Sequence, residues 1–166
     1  MHPQTRRNHI HKSRLFNRQP TVKCFWCGIP QRFKVATVDH VLALCLGGND
    51  DHANTVISCR QCNTNRSFLQ MVMNWIRTAD LIETEMATHP ELVSTFRHRS
   101  LRRLRKVIAR HKASVNDAFA MYERDKYILQ CIATNTPPVL SGGPIRSTAP
   151  SGGDAMVHSI LTTAAS

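Results

Sequence analysis

Four cysteines stand in two pairs of identical spacing, and thiolates are strong ligands for zinc. The pairs are Cys24-x-x-Cys27 and Cys59-x-x-Cys62. Four thiolates complete the tetrahedral shell of a closed structural zinc site, whereas a thioredoxin-like redox motif needs a single pair in a βαβ setting. Two copies of one spacing also make four unrelated buried thiols a poor alternative. The sequence therefore predicts structural Zn²⁺, which would stabilise a unit of about fifty residues that is too small to rely on its apolar core.

Residues 38–67 concentrate acidic, imidazole and amide side chains around the second cysteine pair. Asp39 and His40 are adjacent, a Gly-Gly-Asn turn follows at 47–49, and Asn54 and Asn63 lie on either side of the cysteine pair. A histidine alone is more often an ordinary surface or core residue than a functional one. The needs of local structure alone do not explain so many metal-binding and hydrogen-bonding groups in one short segment.

Together these elements resemble the HNH endonuclease family, the ββα-metal nucleases, in the branch with Asn in the last position. The resemblance covers about residues 24–67 and rests on the two cysteine pairs, the "VDH" triplet, the glycine loop, Asn54 and the "CN" pair ending at Asn63. It implies that His40 is the general base that activates water, since a neutral imidazole accepts a proton well near pH 7.

The resemblance also implies roles for the neighbours of His40. Asp39 and Asn63 would ligate one catalytic divalent ion, because carboxylate and amide oxygens suit Mg²⁺ or Mn²⁺. Asn54 would hold His40 through the loop backbone or the imidazole, and Arg66, about one helical turn beyond Asn63, could reach a phosphate. Adjacent residues of a regular strand point to opposite faces, so we expect the strand to end or twist at His40.

The elements that position these residues follow from hydrophobic patterning. The β-branched segments at 33–38 and 55–58 are predicted strands, and a helix should run from about residues 60–63 to Arg77. One face of this helix is predicted to pack in the core; it carries Phe68, Val72, Trp75, Ile76 and Ala79. The predicted fold class is α+β: a small ββα-metal module held by a four-cysteine zinc site, followed by a helical basic appendage.

Composition divides the chain into four regions. Residues 1–23 are predicted to be a basic flexible arm and 24–79 the nuclease module. Residues 80–135 should form a helical basic region, and 136–166, rich in Pro, Gly, Ser and Thr, a disordered tail. The two remaining cysteines, Cys45 and Cys131, are predicted to pack as small buried side chains.

The helical region carries a predicted nucleic-acid-binding stripe. Arg99, Arg103, Lys106 and Arg110 recur at helical spacing and could follow phosphates. The opposite side is predicted to pack against the domain or a second chain; it carries Leu101, Leu104, Ile108, His111, Val115, Ala118 and Tyr122. The heptad-like spacing of this second set also allows a homodimer.

The charge balance favours a polyanionic partner. Twenty-two Lys and Arg oppose eleven Asp and Glu, which gives a net charge of +11. No secretory signal or membrane-spanning run is evident, so we expect a cytoplasmic protein. The sequence thus predicts a metal-dependent HNH endonuclease that hydrolyses DNA phosphodiester bonds. Two alternatives stay open: a non-catalytic zinc-ribbon nucleic-acid-binding protein and an RNA-directed nuclease.

Overall fold

A computed structural model describes residues 3–138 of the 166-residue chain. Helices and two small antiparallel sheets make the protein α+β, as the sequence predicts. The described chain divides into two compact units: residues up to Phe68 together with those from Glu123 onward form one, and Leu69–Tyr122 form the other. From residue 139 onward, the predicted disordered tail lies outside the described residues.

The strands all belong to the first unit and form two hairpins. They are β1 (Thr21–Lys23), β2 (Pro30–Arg32), β3 (Thr37–His40) and β4 (Thr55–Ser58). β1 pairs antiparallel with β2, and β3 pairs antiparallel with β4. The segment 55–58 is the predicted second strand, now confirmed. The first predicted strand, 33–38, is wrong in its bounds because the chain turns after Arg32, whose carbonyl oxygen accepts from the N–H groups of Val35 and Ala36.

The N-terminal segment forms a helix, α1 (Pro3–Phe16), which packs against β3 and β4. Phe16 is 2% exposed and lies in a cluster with Ala36 and Ile57, against which Leu15 also packs. The prediction of a flexible arm at 1–23 is therefore wrong. The apolar residues that anchor α1 are gathered at its end, so the segment as a whole shows no helical periodicity to reveal them.

Three further helices follow: α2 (Arg60–Thr88), α3 (Thr95–Arg110) and α4 (Val115–Ala133). α2 begins where predicted but extends well beyond Arg77, because no Gly or Pro interrupts the chain before Pro90. Within the second unit, Val72, Ile76 and Ala79 of the predicted core face are buried and Trp75 is half-buried. Phe68, which the sequence places on the same face, is exposed. No helix among the described residues has the length and apolar character needed to cross a membrane.

The basic region of the second unit is helical, as predicted, but it is not one continuous helix. α3 begins after Ser94, whose hydroxyl accepts from the Arg97 N–H, and the chain bends at residues 111–114 before α4. Ile108, Val115 and Ala118 are buried within the single chain, which confirms the predicted packing side. Because the bend interrupts the heptad-like stripe, its support for a homodimer is weakened, and the homodimer stays a prediction.

Candidate active site

The four paired cysteines converge at one point of the first unit. Their sulfur atoms all lie within 4.8 Å of one another, and Cys27 Sγ is 3.9 Å from Cys59 Sγ. Tetrahedral zinc with Zn–S bonds of about 2.3 Å requires sulfur–sulfur separations of about 3.8 Å. The cluster therefore fits the predicted structural zinc ion.

Backbone geometry prepares the sulfur atoms for a cation. Gly28 has φ +74°, a left-handed conformation that lets its N–H bond the Cys24 carbonyl at 2.8 Å and close the first knuckle. Burial raises the pKa of the Cys24 thiol, but hydrogen bonds from backbone N–H groups of both knuckles outweigh it and lower the pKa to about 7. Burial and the neighbouring thiols raise the pKa of Cys62. Four thiolates at this distance repel one another, so all four can be ionised together only when a cation lies between them.

His40 ends β3 with a half-buried side chain that contacts the glycine-bearing loop. Its Nε2 atom is 3.0 Å from Oδ1 of Asp50. The other carboxylate oxygen of Asp50 accepts from Arg7 Nη1 of α1 at 2.7 Å. The hydrogen bond from His40, and then that from Arg7, hold the pKa of Asp50 below its ordinary value. The imidazole is thus hydrogen-bonded to an ionised carboxylate. In the sequence, Asp50 looks only like part of the glycine-bearing turn.

Asn54 organises the backbone of this loop. It is 1% exposed, its Oδ1 accepts from the Leu42 N–H at 2.9 Å, and its Nδ2 donates to the carbonyls of Leu42 and Asn49 at 2.9 and 2.7 Å. A Cβ atom on Gly48 would lie 2.0 Å from the Leu42 oxygen, so only glycine fits there. Asn54 therefore bonds the loop backbone and not the imidazole of His40.

Asp39 faces away from His40. β3 stays regular to its end, with His40 opposite Thr55, so the expected end or twist of the strand at His40 is absent. The Asp39 side chain is 5% exposed, and its Oδ2 accepts from Trp26 Nε1 and Arg66 Nε, both at 2.9 Å. The expectation that Asp39 ligates a catalytic ion beside His40 is not supported by this arrangement, because its carboxylate is buried and already paired.

Arg66 is the centre of a buried charge cluster. Besides Asp39, its guanidinium donates to both carboxylate oxygens of Asp125 at 3.0 Å and to the carbonyl oxygens of residues 40 and 41. It also lies 3.6 Å from the ring centre of Trp26. Burial raises the pKa of both carboxyls, and the Arg66 guanidinium opposes that rise. With 3% of its side chain exposed, Arg66 cannot reach a phosphate, so that prediction is wrong.

A cleft of about 400 Å³ opens beside the start of α2. Its lining comes from α1, β3, α2 and the turn between β2 and β3: Asn8, His9, Lys12, Phe33, Ala36, Thr37, Val38 and Asn63. Val38 and His40 lie two residues apart and therefore share one face of β3. Of the two predicted ligands of a catalytic ion, Asn63 lines this cleft and Asp39 does not. The residues present therefore do not complete the predicted ligand set.

Part of the first unit matches a known protein family. Residues 24–68 match the family model described as HNH endonuclease. This segment is an HNH module. No curated protein and no solved structure matches the chain significantly. The match supports a nuclease-type function in general, and the four-cysteine cluster is compatible with a zinc site.

Sequence reasoning missed Asp50, the partner of His40, and Arg7, the second partner of Asp50. Asp50 follows the glycines of the HNH module, where acidic residues are common in turns for their local hydrogen bonds, so nothing in the pattern pointed to an imidazole. Arg7 lies outside the HNH module, on a segment without periodicity, and meets Asp50 across 43 positions of sequence. Only the packing of α1 on β3 and β4 brings it there.

The buried cluster leads to a stability prediction. Arg66→Met should lower the free energy of unfolding by about 3–5 kcal/mol, because it leaves Asp39 and Asp125 buried without their guanidinium. Arg124, 3.5 Å from Asp125, remains to offset only one of the two carboxylates. Urea unfolding at pH 7 measures the loss, with the exposed Arg99→Met as a matched control expected to stay near wild type.

The pH dependence of this loss distinguishes charge from shape. Without Arg66, burial should raise the folded-state pKa of the two carboxyls further. A carboxyl with a raised folded pKa destabilises the protein above its unfolded pKa, and that penalty disappears as the pH falls below about 4. The difference between Arg66→Met and wild type should therefore shrink in acid. A loss that stays below about 1 kcal/mol at pH 7 would contradict the assigned role of Arg66.

Proposed function

We propose that this protein is an HNH endonuclease that hydrolyses phosphodiester bonds of DNA, with His40 as the general base. The observation that carries the proposal is the half-buried imidazole of His40, held at the end of β3 inside a segment that matches the HNH family. One ring nitrogen forms a hydrogen bond with the Asp50 carboxylate, and the other ring nitrogen can accept a proton.

The proposed reaction is a hydrolysis with His40 as the base. His40 removes a proton from a water molecule, whose oxygen attacks the phosphorus while the bond to the 3′ oxygen breaks, and the departing 3′ oxygen takes up a proton from solvent water. Products with a 5′-phosphate and a 3′-hydroxyl are expected from the family resemblance. A divalent ion such as Mg²⁺ or Mn²⁺, when bound, would neutralise charge on the phosphate. Asp39, which is buried and paired with Arg66, would not hold that ion.

The charge distribution of the first unit supports a nucleic-acid substrate. Lys12 and His9 of α1 line the cleft beside Asn63, and the whole chain carries a net charge of +11. A cleft with a cationic wall raises the local concentration of a polyanion. Burial lowers the pKa of Lys12, and its ammonium lies 4.9 Å from the ring centre of Phe33. A net charge of this size favours a polyanionic substrate, and DNA is the polyanion that we propose.

A plasmid-nicking assay tests the proposed function. Supercoiled plasmid is incubated with the purified protein in Mg²⁺, in Mn²⁺ and in a chelator, beside an RNA transcript of the same sequence. Conversion to nicked circles supports the proposal. Cleavage of the transcript alone would favour the RNA-directed nuclease, and binding of both polymers without cleavage would favour the zinc-ribbon binding protein.

The second unit provides a separate prediction about affinity. Arg99, Arg103, Lys106 and Arg110 are all exposed on α3, as the sequence predicted. Replacing the four by Gln should weaken DNA binding and reduce the slope of log K against log salt by up to about 0.9 for each phosphate that the variant no longer neutralises. Lys112→Gln, an exposed cation in the bend after α3, is the control and should change the slope little. A quadruple variant with the wild-type slope would show that the stripe only faces solvent.

A further inference from the structure

We propose that Asp50 is the positioning residue of His40: its carboxylate keeps the imidazole proton on Nε2 and so leaves Nδ1 as the proton acceptor. The inference rests on the proposed function for the reaction that His40 serves. It assigns a role to a residue outside the predicted site, and it connects α1 to the chemistry of the HNH module.

The contacts of Asp50 fix its carboxylate at both oxygens. Oδ1 lies 3.0 Å from His40 Nε2, and Oδ2 accepts from Arg7 Nη1 at 2.7 Å. His11 Nε2 is 3.8 Å from Oδ1, which is too far for a hydrogen bond. The side chains of His40 and Asp50 are 21% and 24% exposed, so solvent can reach the pair without surrounding it. His40 is thus the imidazole that Oδ1 bonds.

The hydrogen-bonding capacity of the two groups decides the tautomer. An ionised carboxylate can only accept, so Nε2 must carry the hydrogen that it donates to Oδ1. In the neutral imidazole, Nδ1 then has a lone pair. Among residues 3–138, no group forms a hydrogen bond with Nδ1 of His40. A neutral histidine fixed in this way has its free basic nitrogen available to a water molecule.

The loop that carries Asp50 is itself held in place. Asn54 bonds the backbone at Leu42 and Asn49, and the close approach at Gly48 fixes the path of the chain immediately before Asp50. Asn54 therefore acts on His40 through the position of Asp50. This sequence of contacts gives a physical reason for an asparagine whose side chain bonds only to backbone.

Asp50→Asn tests the inference with little change in size. The amide can turn its NH₂ group toward Nε2. Because that group donates, Nε2 must accept, and the imidazole hydrogen then lies on Nδ1. A protonated Nδ1 cannot accept a proton from water. In serine proteases, the corresponding replacement lowers kcat about 10⁴-fold. The whole base contributes about 10²-fold to 10⁴-fold, so we expect kcat for plasmid nicking to fall about 10-fold to 10³-fold in Asp50→Asn. KM should not rise, because the variant removes a negative charge near DNA.

Nitrogen NMR of ¹⁵N-histidine-labelled protein reads the tautomer directly. The chain has nine histidines, and the signal of His40 is assigned as the one missing from His40→Gln. In wild-type protein we expect the hydrogen on Nε2 and an unprotonated Nδ1. In Asp50→Asn this preference should be lost or reversed, a change that a purely structural role of Asp50 would not produce.

Asp51→Asn is the matched control, since it removes the same charge from the neighbouring position. Asp51 bonds Asn49 and not His40, so its variant should keep the wild-type kcat and tautomer. The role of Asp50 is overturned if wild-type His40 carries its proton on Nδ1, or if Asp50→Asn nicks with the wild-type kcat. A wild-type protein that shows the Asp50-dependent tautomer but never cleaves nucleic acid would overturn the proposed function and leave the tautomer assignment standing.

Discussion

His40→Ala is expected to lower the rate of plasmid nicking by at least the factor of about 10² to 10⁴ that a positioned general base contributes. The variant removes the imidazole that would accept the proton of the attacking water, while Asp50 and the cysteine cluster stay in place. The side chain is 21% exposed and bonds no backbone group, so its loss should leave the fold intact. Initial rates on supercoiled plasmid, compared at equal protein concentration, measure the effect.

Three measurements show whether such a loss is chemical. The circular dichroism spectrum, the zinc content and the DNA affinity of His40→Ala should match those of wild type. Asn63→Ala provides the contrast: its amide lines the cleft, so if it ligates a catalytic ion as the resemblance implies, excess Mn²⁺ should partly restore its activity. The histidine variant should gain nothing from that addition. Nicking by His40→Ala at the wild-type rate would refute the assigned mechanism.

Sequence reasoning succeeded where the signal is local. The Cys-x-x-Cys pairs place two ligands on one short turn, so their spacing alone indicates a metal site, and the structure brings their sulfurs together. The strand at 55–58 and the start of α2 follow from patterns of a few residues. The basic stripe of α3 is exposed for the same reason, since helical periodicity separates it from the packing side.

The failures concern contacts between distant segments. The residue type of Asp39 suits a metal ion, but its partner Arg66 lies 27 positions away, and Asp125 lies 59 positions beyond Arg66. No local sequence pattern indicates that Asp125 of α4 bonds the Arg66 guanidinium. The prediction that Arg66 could reach a phosphate requires an exposed side chain, which is the usual state of an arginine. A buried arginine of this kind can be recognised only from the folded structure, which shows both of its acidic partners.

Removing the zinc should have the largest effect on the fold. Structural zinc sites contribute on the order of 10 kcal/mol or more of apparent binding free energy at neutral pH, and small modules built on them unfold without the ion. The described hairpins β1–β2 and β3–β4 are only three or four residues per strand, too short to be stable alone. We therefore expect about one zinc ion per chain in purified protein. Chelation should abolish the cooperative unfolding transition of the first unit.

Single cysteine variants separate the zinc site from the other thiols. Cys59→Ser removes a sulfur 3.9 Å from that of Cys27 and also the acceptor of the Cys62 N–H, so it should lose zinc and fail to fold. Cys45 is exposed, contrary to its predicted burial, and Cys45→Ser is the matched control that should keep zinc and stability. Elemental analysis and thermal melting of both variants provide the comparison. A folded Cys59→Ser protein without zinc would show that the four cysteines do not hold a structural ion, and the stability of the HNH module would then have to come from the Arg66 cluster and the packing of α1 and α4.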